Sequence, residues 1–201
     1  MDPYLLILLI GLSYIIGFSA LSIVRRQGTS TRFIVEGLII TIVFTAISYA
    51  TPISYIIFLI IIYLVTMRVR LLIDLGNWLT ARKKFSLSLN AYSLALRLWP
   101  DLISRQIALI NRGVTQLRMG EPEEAYHTLE DALADKQAHA GAKYLSAGYY
   151  NLGLACRRTN REAKAVRHFN EAISIWPGCI YAHAAELELE KRQSLDKSTG
   201  R

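Results

Sequence analysis

Three stretches beyond residue 70 share one internal spacing of small and large residues. In each, a glycine is followed by a small residue after 12 positions, a large residue after 16 and an alanine after 19. The three sets are Gly76, Ser88, Tyr92 and Ala95; Gly113, Ala125, Leu129 and Ala132; and Gly153, Ala165, Phe169 and Ala172. A glycine facing an alanine would let two antiparallel helices approach closely, and a lone helical hairpin cannot bury its apolar face. The spacing therefore predicts three stacked hairpins, a solenoid.

The residues around these positions resemble the tetratricopeptide repeat (TPR) family. The runs NLG at 151–153 and NRG at 111–113 are similar to its first helix, and the runs at 120–125 and 161–165 to the turn into its second. The resemblance covers about residues 70–177 and implies an all-α fold, a TPR-like α-α superhelix of three helix-turn-helix repeats plus a capping helix. We predict a TPR domain at 68–193, with repeats at about 69–102, 106–139 and 146–179, a capping helix at 180–193 and a disordered tail at 194–201.

The sequence departs from the family pattern at two points. Ser88 stands where an alanine is usual, and the glycines are 37 and 40 residues apart instead of about 34. Because the spacing inside each repeat is intact, the additional residues must lie between repeats. We expect the longer insertion to lengthen the helices or the loop around residues 134–143.

The first third of the chain is strongly apolar. Residues 4–24 carry no charge and residues 33–67 carry one, Glu36. About 20 apolar residues cross a hydrocarbon core of ~30 Å, and Pro52 interrupts the second stretch near its middle. We therefore predict an anchor at 1–67 with N-terminal transmembrane helices at about 4–24, 33–49 and 52–67. No flexible linker follows, so one helix is predicted from about Pro52 to Lys83.

Basic residues flank the predicted spans on one side of the membrane. We expect the interface to hold Arg25, Arg26, Arg32, Arg68 and Arg70. Because positive residues favour the cytoplasmic side, three spans place the N-terminus outside and the TPR domain in the cytoplasm. The protein would be integral to a plasma, inner or photosynthetic membrane. A cleaved signal peptide at 1–24 is the alternative, although Asp2 stands where a basic segment is expected.

Motifs for catalysis and for metal or cofactor binding are absent from the sequence. The four histidines and two cysteines do not pair at ligand spacing, and there is no Gly-rich phosphate loop or nucleophile elbow. We predict no catalytic residue, metal, cofactor or small-molecule substrate. The net charge of +7 comes from mixed charges, so no nucleic-acid partner is expected. Glu36, four residues after Arg32, predicts a helical ion pair; a functional group inside a span is the alternative.

In this family the first helices of the repeats line a concave groove, and the resemblance implies which residues face it. They are Ile73, Asn77, Thr80, Ile110, Val114, Leu117, Tyr150, Leu154 and Arg157. This mostly apolar set suits an amphipathic helix or apolar segment, bound with little dependence on salt. One subgroup grips acidic chaperone tails with a carboxylate clamp, and its asparagine positions match Asn77 and Asn111. Its basic positions fall on Ile73, Ala147 and Asn151, which carry no charge, so we do not expect that binding here.

The sequence thus predicts a non-enzymatic adaptor in contact with membrane lipid and a protein partner. A three-span anchor would hold a peptide- or protein-binding domain at the cytoplasmic face, in assembly or scaffolding of a membrane protein complex. One alternative is a stoichiometric structural subunit of a larger membrane complex, for example a photosynthetic or respiratory one. A third hypothesis, from another class, is an enzyme or transporter that uses the spans at Glu36.

Overall fold

The computed structural model describes residues 2–24, 30–51, 53–134 and 140–198. Backbone contacts divide the chain into two compact units, Met1–Leu71 and Leu72–Arg201, here named the apolar unit and the repeat unit. The division falls four residues beyond the predicted end of the anchor at 67. Arg25 and Arg26, predicted at the membrane interface, lie outside the described residues.

The apolar unit consists of α1 (Pro3–Val24), α2 (Thr31–Ala50) and the first part of α3 (Tyr55–Ala81). Each of these helices is long and apolar enough to cross a membrane. The observed bounds differ from the predicted spans at 33–49 and 52–67, because α3 runs fourteen residues past 67. The expectation of one uninterrupted helix from the third span into the first repeat is confirmed by α3.

Small residues bring α1 and α2 together. A Cβ placed on Gly11 would lie 2.4 Å from Cγ2 of Thr41, and one placed on Gly37 would lie 2.9 Å from Cγ1 of Ile15. The hydroxyl of Thr41 donates to the carbonyl of Gly37 at 2.7 Å, so its polar atom is satisfied within α2. Small residues at the contact are typical of helices packed in lipid, where burial of apolar surface gives no driving force.

The repeat unit is built of helical hairpins. After α3 its helices are α4 (Phe85–Arg97), α5 (Leu102–Met119), α6 (Pro122–Ala134), α7 (Ala142–Arg158), α8 (Glu162–Ile175) and α9 (Ile180–Ser198). The end of α3 pairs with α4, α5 with α6 and α7 with α8, while α9 packs on α7 and α8. The predicted all-α fold of three helix-turn-helix repeats and a capping helix is confirmed.

The capping helix is longer than predicted. It extends to Ser198, whereas the sequence analysis ended it at 193 and assigned 194–201 to a disordered tail. Residues 194–198 are therefore helical, and 199–201 lie outside the described residues. No Gly or Pro interrupts the chain between 180 and 198, so nothing in the sequence ends the helix earlier.

The repeat glycines make room for a large side chain. A Cβ placed on Gly153 would lie 2.6 Å from Cε1 of Phe169. The same closeness, 2.4 to 2.5 Å, holds for the pairs Gly76–Tyr92 and Gly113–Leu129. The other predicted packing residues are all buried: Ser88, Ala95, Ala125, Ala132, Ala165 and Ala172. The spacing predicts an alanine opposite each glycine. The side chain closest to each glycine is instead the large residue 16 positions on.

The additional residues between repeats extend helices and are tied down by a glutamine. The first helices of the second and third repeats begin at Leu102 and Ala142, each four residues earlier than predicted. Gln106 Nε2 donates to the carbonyl of Ala132 at 3.0 Å, and its Oε1 accepts the N–H of Ala140 at 3.0 Å. One buried side chain therefore holds both flanks of residues 135–139, which themselves lie outside the described residues.

Candidate protein-binding cleft

A cleft of about 500 Å³ opens in the repeat unit, bounded by the first helices of the repeats and by α9. Seven of the nine predicted groove residues line it, namely Asn77, Thr80, Ile110, Val114, Leu117, Tyr150 and Leu154. Two of these residues, Ile110 and Leu117, are buried and lie at the base of the cleft. Val114, Tyr150 and Leu154 are half-buried and keep part of their surface open.

Two predicted groove residues do not belong to the described lining, Ile73 and Arg157. Ile73 is buried because it lies on the same side of α3 as Thr80, which faces the neighbouring helices. Arg157 forms an ion pair with Glu188 of α9, and its guanidinium lies 4.9 Å from the ring centre of Phe169. The capping helix therefore takes up Arg157, an interaction that the position of the repeat glycine could not reveal.

Basic side chains that the sequence analysis missed contribute to the cleft. Arg118, Lys143 and Arg158 belong to its lining, and none of the described lining residues is acidic. Arg158 Nη1 donates to the carbonyl of Leu117 at 2.9 Å, which fixes it beside the end of α5. Lys143 lies in the added first turn of α7, one turn before Ala147, and residues four apart share a helix face. The longer spacing between repeats was the signal that could have found it.

Hydrogen-bonding groups accompany these charges. Asn77 Oδ1 accepts the hydroxyl proton of Tyr92 at 2.7 Å. Asn111 Nδ2 is shielded and has no hydrogen-bond partner within the described part of the chain. Burial in the first place, and the charge of Glu188 in addition, raise the pKa of Tyr150, so its hydroxyl stays protonated at neutral pH. The cleft thus presents donors and cations that suit carbonyl and carboxylate oxygens.

A chain of hydroxyls holds the floor of the cleft at Thr80. Its Oγ1 lies 2.7 Å from Ser88 Oγ and 2.8 Å from Thr115 Oγ1, and Ser88 donates to the carbonyl of Gly76 at 2.8 Å. Thr115 also donates to the carbonyl of Asn111 at 3.0 Å, so the three hydroxyls share three protons among four contacts. Ser88, the departure from the usual alanine, therefore ties the two helices of the first repeat, and Thr80 links that repeat to Thr115 of the second.

Two of the predicted interface arginines bind Glu36 in the apolar unit. Arg32 Nε lies 2.8 Å from Glu36 Oε1, which confirms the helical ion pair. Arg68 of α3 adds a bidentate contact, with Nη1 2.6 Å from Oε2 and Nη2 2.9 Å from Oε1. Arg70 is half-buried. Pairing across helices was missed because only the four-residue separation on α2 is visible in the sequence.

Within the described residues, no group of three or more His, Cys, Asp or Glu side chains is placed to hold a metal ion. Cys156 is a buried residue of the core, and Cys179 accepts the N–H of Ala182 at 3.3 Å at the start of α9. Both thiols have a structural place in the packing.

Fold and cleft together define the class: an α-helical repeat protein whose first helices line an open cleft. Residues 104–177 match the tetratricopeptide repeat family. The structure is similar to the complex of the TPR2AB domain of yeast Sti1 with pHSP90, with a TM-score of 0.52 and 22% identity. The match covers 63% of this chain and 49% of that chain. The family match thus covers the second and third repeats, and the structural likeness shows the fold of the repeat unit.

These comparisons bear on the fold of the repeat unit. The chain spans about half the length of the solved chain that it matches. No curated protein sequence matches it. Tetratricopeptide repeats are typically scaffolds for protein interaction, built to present an extended concave surface.

Proposed function

We propose that this protein is a membrane-anchored TPR adaptor, without catalytic activity, that binds a protein partner through the cleft of its repeat unit. The three apolar helices support membrane anchoring. The distribution of Arg32, Arg68 and Arg70 favours a cytoplasmic repeat unit and an N-terminus on the other side. Its role would be the assembly or scaffolding of a membrane protein complex.

The cleft favours a partner segment that combines apolar side chains with a carboxylate. Val114 and Leu154 offer apolar surface, and burying two or three partner side chains would contribute roughly 1.5–3 kcal/mol each. Lys143 and Arg118 favour an anionic group, since no described lining residue is acidic. We therefore expect added salt to weaken binding, in contrast to the weak salt dependence expected from the nine groove residues alone.

The solved TPR domain of yeast Sti1 is in complex with pHSP90, which supports a protein partner here as well. The clamp positions implied by the family resemblance carry no charge in this chain, being Ile73, Ala147 and Asn151. The cations of this cleft stand at other positions. We therefore propose a partner segment whose carboxylate binds Lys143 and Arg118. This segment would differ from a chaperone tail, which the clamp residues of the family would bind.

The observation that carries the proposal is the cleft itself, and two substitutions test it. We expect Val114→Asp and Lys143→Glu to lose the partner in crosslinking and mass spectrometry on native membranes, because one removes apolar contact and the other reverses a charge. Ala163→Asp is the matched control, on an exposed position of α8 outside the described lining. Leu117→Asp is unsuitable, because Leu117 is 5% exposed and part of the core.

Three outcomes separate the hypotheses. Loss of one crosslinked protein from both cleft variants, with the control unchanged, supports the adaptor. Equal yield from all four proteins would show that the partner binds elsewhere. A partner recovered in constant one-to-one ratio with this chain would favour the structural subunit over the assembly factor.

A further inference from the structure

Two Trp-Pro pairs end the second helices of the first and third repeats. Trp99-Pro100 follows α4, and Trp176-Pro177 follows α8. Proline ends a helix, but it does not require a tryptophan before it. Neither tryptophan belongs to the described lining of the cleft, so the proposed partner site leaves both unexplained.

Both tryptophans are exposed beside a second exposed apolar residue. Trp99 is 77% exposed and is followed by Leu102, 50% exposed. Trp176 is 46% exposed and is followed by Ile180, 72% exposed. Each connection therefore presents a pair of large apolar side chains that the repeat unit does not cover, and grouped apolar surface usually marks a contact.

The backbone at Trp99 is also strained. Its φ is 51°, in the left-handed region that glycine and asparagine favour. A side chain with a Cβ raises the energy of this conformation, and a tryptophan as exposed as this one gains little packing in return. A glycine at this position would stabilise the fold more than Trp99 does. We therefore look for a contact of Trp99 with another molecule.

Helix direction places both connections at one edge of the repeat unit. In stacked hairpins the first helices run parallel, so the ends of the second helices lie at the same edge as the starts of the first. The chain enters the repeat unit at this edge, because residues 72–81 of α3 form the first helix of the first repeat. In the sequence, residue 72 follows Met67, the end of the predicted span, by five residues.

We propose that this edge rests on the membrane surface, with Trp99 and Trp176 at the level of the lipid headgroups; the inference rests on the proposed membrane anchoring. Tryptophan combines an apolar ring with one N–H donor and is enriched where membrane meets water. Leu102 and Ile180 reach toward the acyl chains. The contact holds the repeat unit against the bilayer at two points in addition to α3.

The charges beside Trp99 suit an anionic lipid surface. Arg97 is exposed in the last turn of α4 and faces the headgroups, where each basic residue adds attraction. The acidic residue of this connection, Asp101, has both carboxylate oxygens engaged by the N–H and the hydroxyl of Ser104. Its charge is held at the start of α5, where the helix dipole favours it.

The three tryptophans of the chain allow a direct test. In three full-length variants one tryptophan is kept and the other two are replaced by phenylalanine, so that only Trp78, Trp99 or Trp176 emits. Each is reconstituted in nanodiscs of phosphatidylcholine and phosphatidylglycerol, with and without bromine on the acyl chains near the headgroup. Trp78 is the matched control, since it is 49% exposed but lies near the other end of its helix.

We expect bromine to remove at least half of the emission of Trp99 and Trp176 and little of that of Trp78. Quenching should fall when phosphatidylglycerol is left out. If Trp99 is quenched no more than Trp78, the edge does not touch lipid; a blue-shifted but unquenched Trp99 would likewise overturn the proposal and indicate a protein cover. Elution of the protein apart from the nanodiscs would instead refute the anchoring itself, and circular dichroism checks that each variant keeps its helices.

Discussion

The apolar unit and the repeat unit are both helical, yet they expose different kinds of side chain. Along α2 the buried residues are Gly37, Thr41 and Ser48, while large aliphatic residues such as Ile42 are exposed. On α1, Ile16 is 67% exposed. Large apolar side chains such as Phe58 and Ile62 are buried as well, but many others are exposed.

In the repeat unit the exposed surface is different. Phe169 and Leu129 are fully buried against the repeat glycines. Exposed positions carry charges such as Arg167 and Glu190. We relate the difference to the solvent: water drives large apolar groups inward, whereas lipid, the proposed surroundings of the apolar unit, does not. The kind of side chain that is exposed, and not helix content, distinguishes the two units.

The largest expected effect is the loss of a large buried side chain from the repeat unit. Phe169→Ala should destabilise it by about 3–5 kcal/mol, because the ring fills the hollow at Gly153 and its removal leaves a cavity. The measurement is denaturant unfolding of the full chain in nanodiscs, followed by circular dichroism. Ile16→Ala, a comparable deletion on an exposed face of α1, should change the free energy of unfolding by about 0.5 kcal/mol or less.

Leu187→Ala is the control within the repeat unit, because Leu187 is partly exposed on α9. It should behave as Ile16→Ala does. Equal losses for Phe169→Ala and Ile16→Ala would mean that α1 buries Ile16 against protein, and the contrast between the two units would disappear.

The elements behind this contrast could be read from the sequence because they depend on local pattern. Uncharged length gave the three apolar helices, and fixed spacing from Gly113 and Gly153 gave the hairpins. The partner of each glycine was misjudged, since the spacing alone does not tell whether the alanine or the large residue 16 positions on lies closest. Geometry between helices decides that, and it is set by packing of the whole repeat.

A second prediction introduces a charge where lipid is expected. Ile42→Lys places an ammonium group in the middle of α2 on an exposed face. Such a charge costs about 2.5–3.5 kcal/mol at the centre of a spanning helix. The fraction of molecules in which α2 is inserted into the membrane should fall. A glycosylation-mapping assay measures this fraction, with an acceptor site placed in a loop next to α2. Leu187→Lys, on the water-facing side of the repeat unit, serves as the counterpart in an unfolding measurement and should stay near neutral.

Normal insertion of Ile42→Lys would show that this face of α2 is covered by protein or water. The apolar unit would then be a set of helices that do not face lipid.

The cleft was harder to derive than the fold, and particular residues show why. Counting from each glycine selects Val114 and Leu154, which lie in the lining of the cleft. Arg157 was predicted in the groove but forms an ion pair with Glu188 of the capping helix. The sequence does not show where that helix packs. Lys143 was missed because the inserted residues lengthen α7, and a helix extended by one turn adds a side chain to the same face. A short stretch of sequence shows its own periodicity. It does not show which distant residues will contact it or where its helix ends.

The smallest effect concerns Glu36, the carboxylate on α2. Glu36→Gln should destabilise the unit by about 1.5–3 kcal/mol, since the bidentate charged contact to Arg68 is lost and an uncompensated guanidinium remains. In the double variant Glu36→Gln with Arg68→Met, stability should largely return, because the unpaired guanidinium of Arg68 is gone and Arg32 is partly exposed to solvent. Unfolding in nanodiscs measures both. If Glu36→Gln abolished partner recruitment or a transport activity while stability stayed at the wild-type value, the ion pair would be more than a structural contact, and the hypothesis of a functional site within the spans would replace the adaptor.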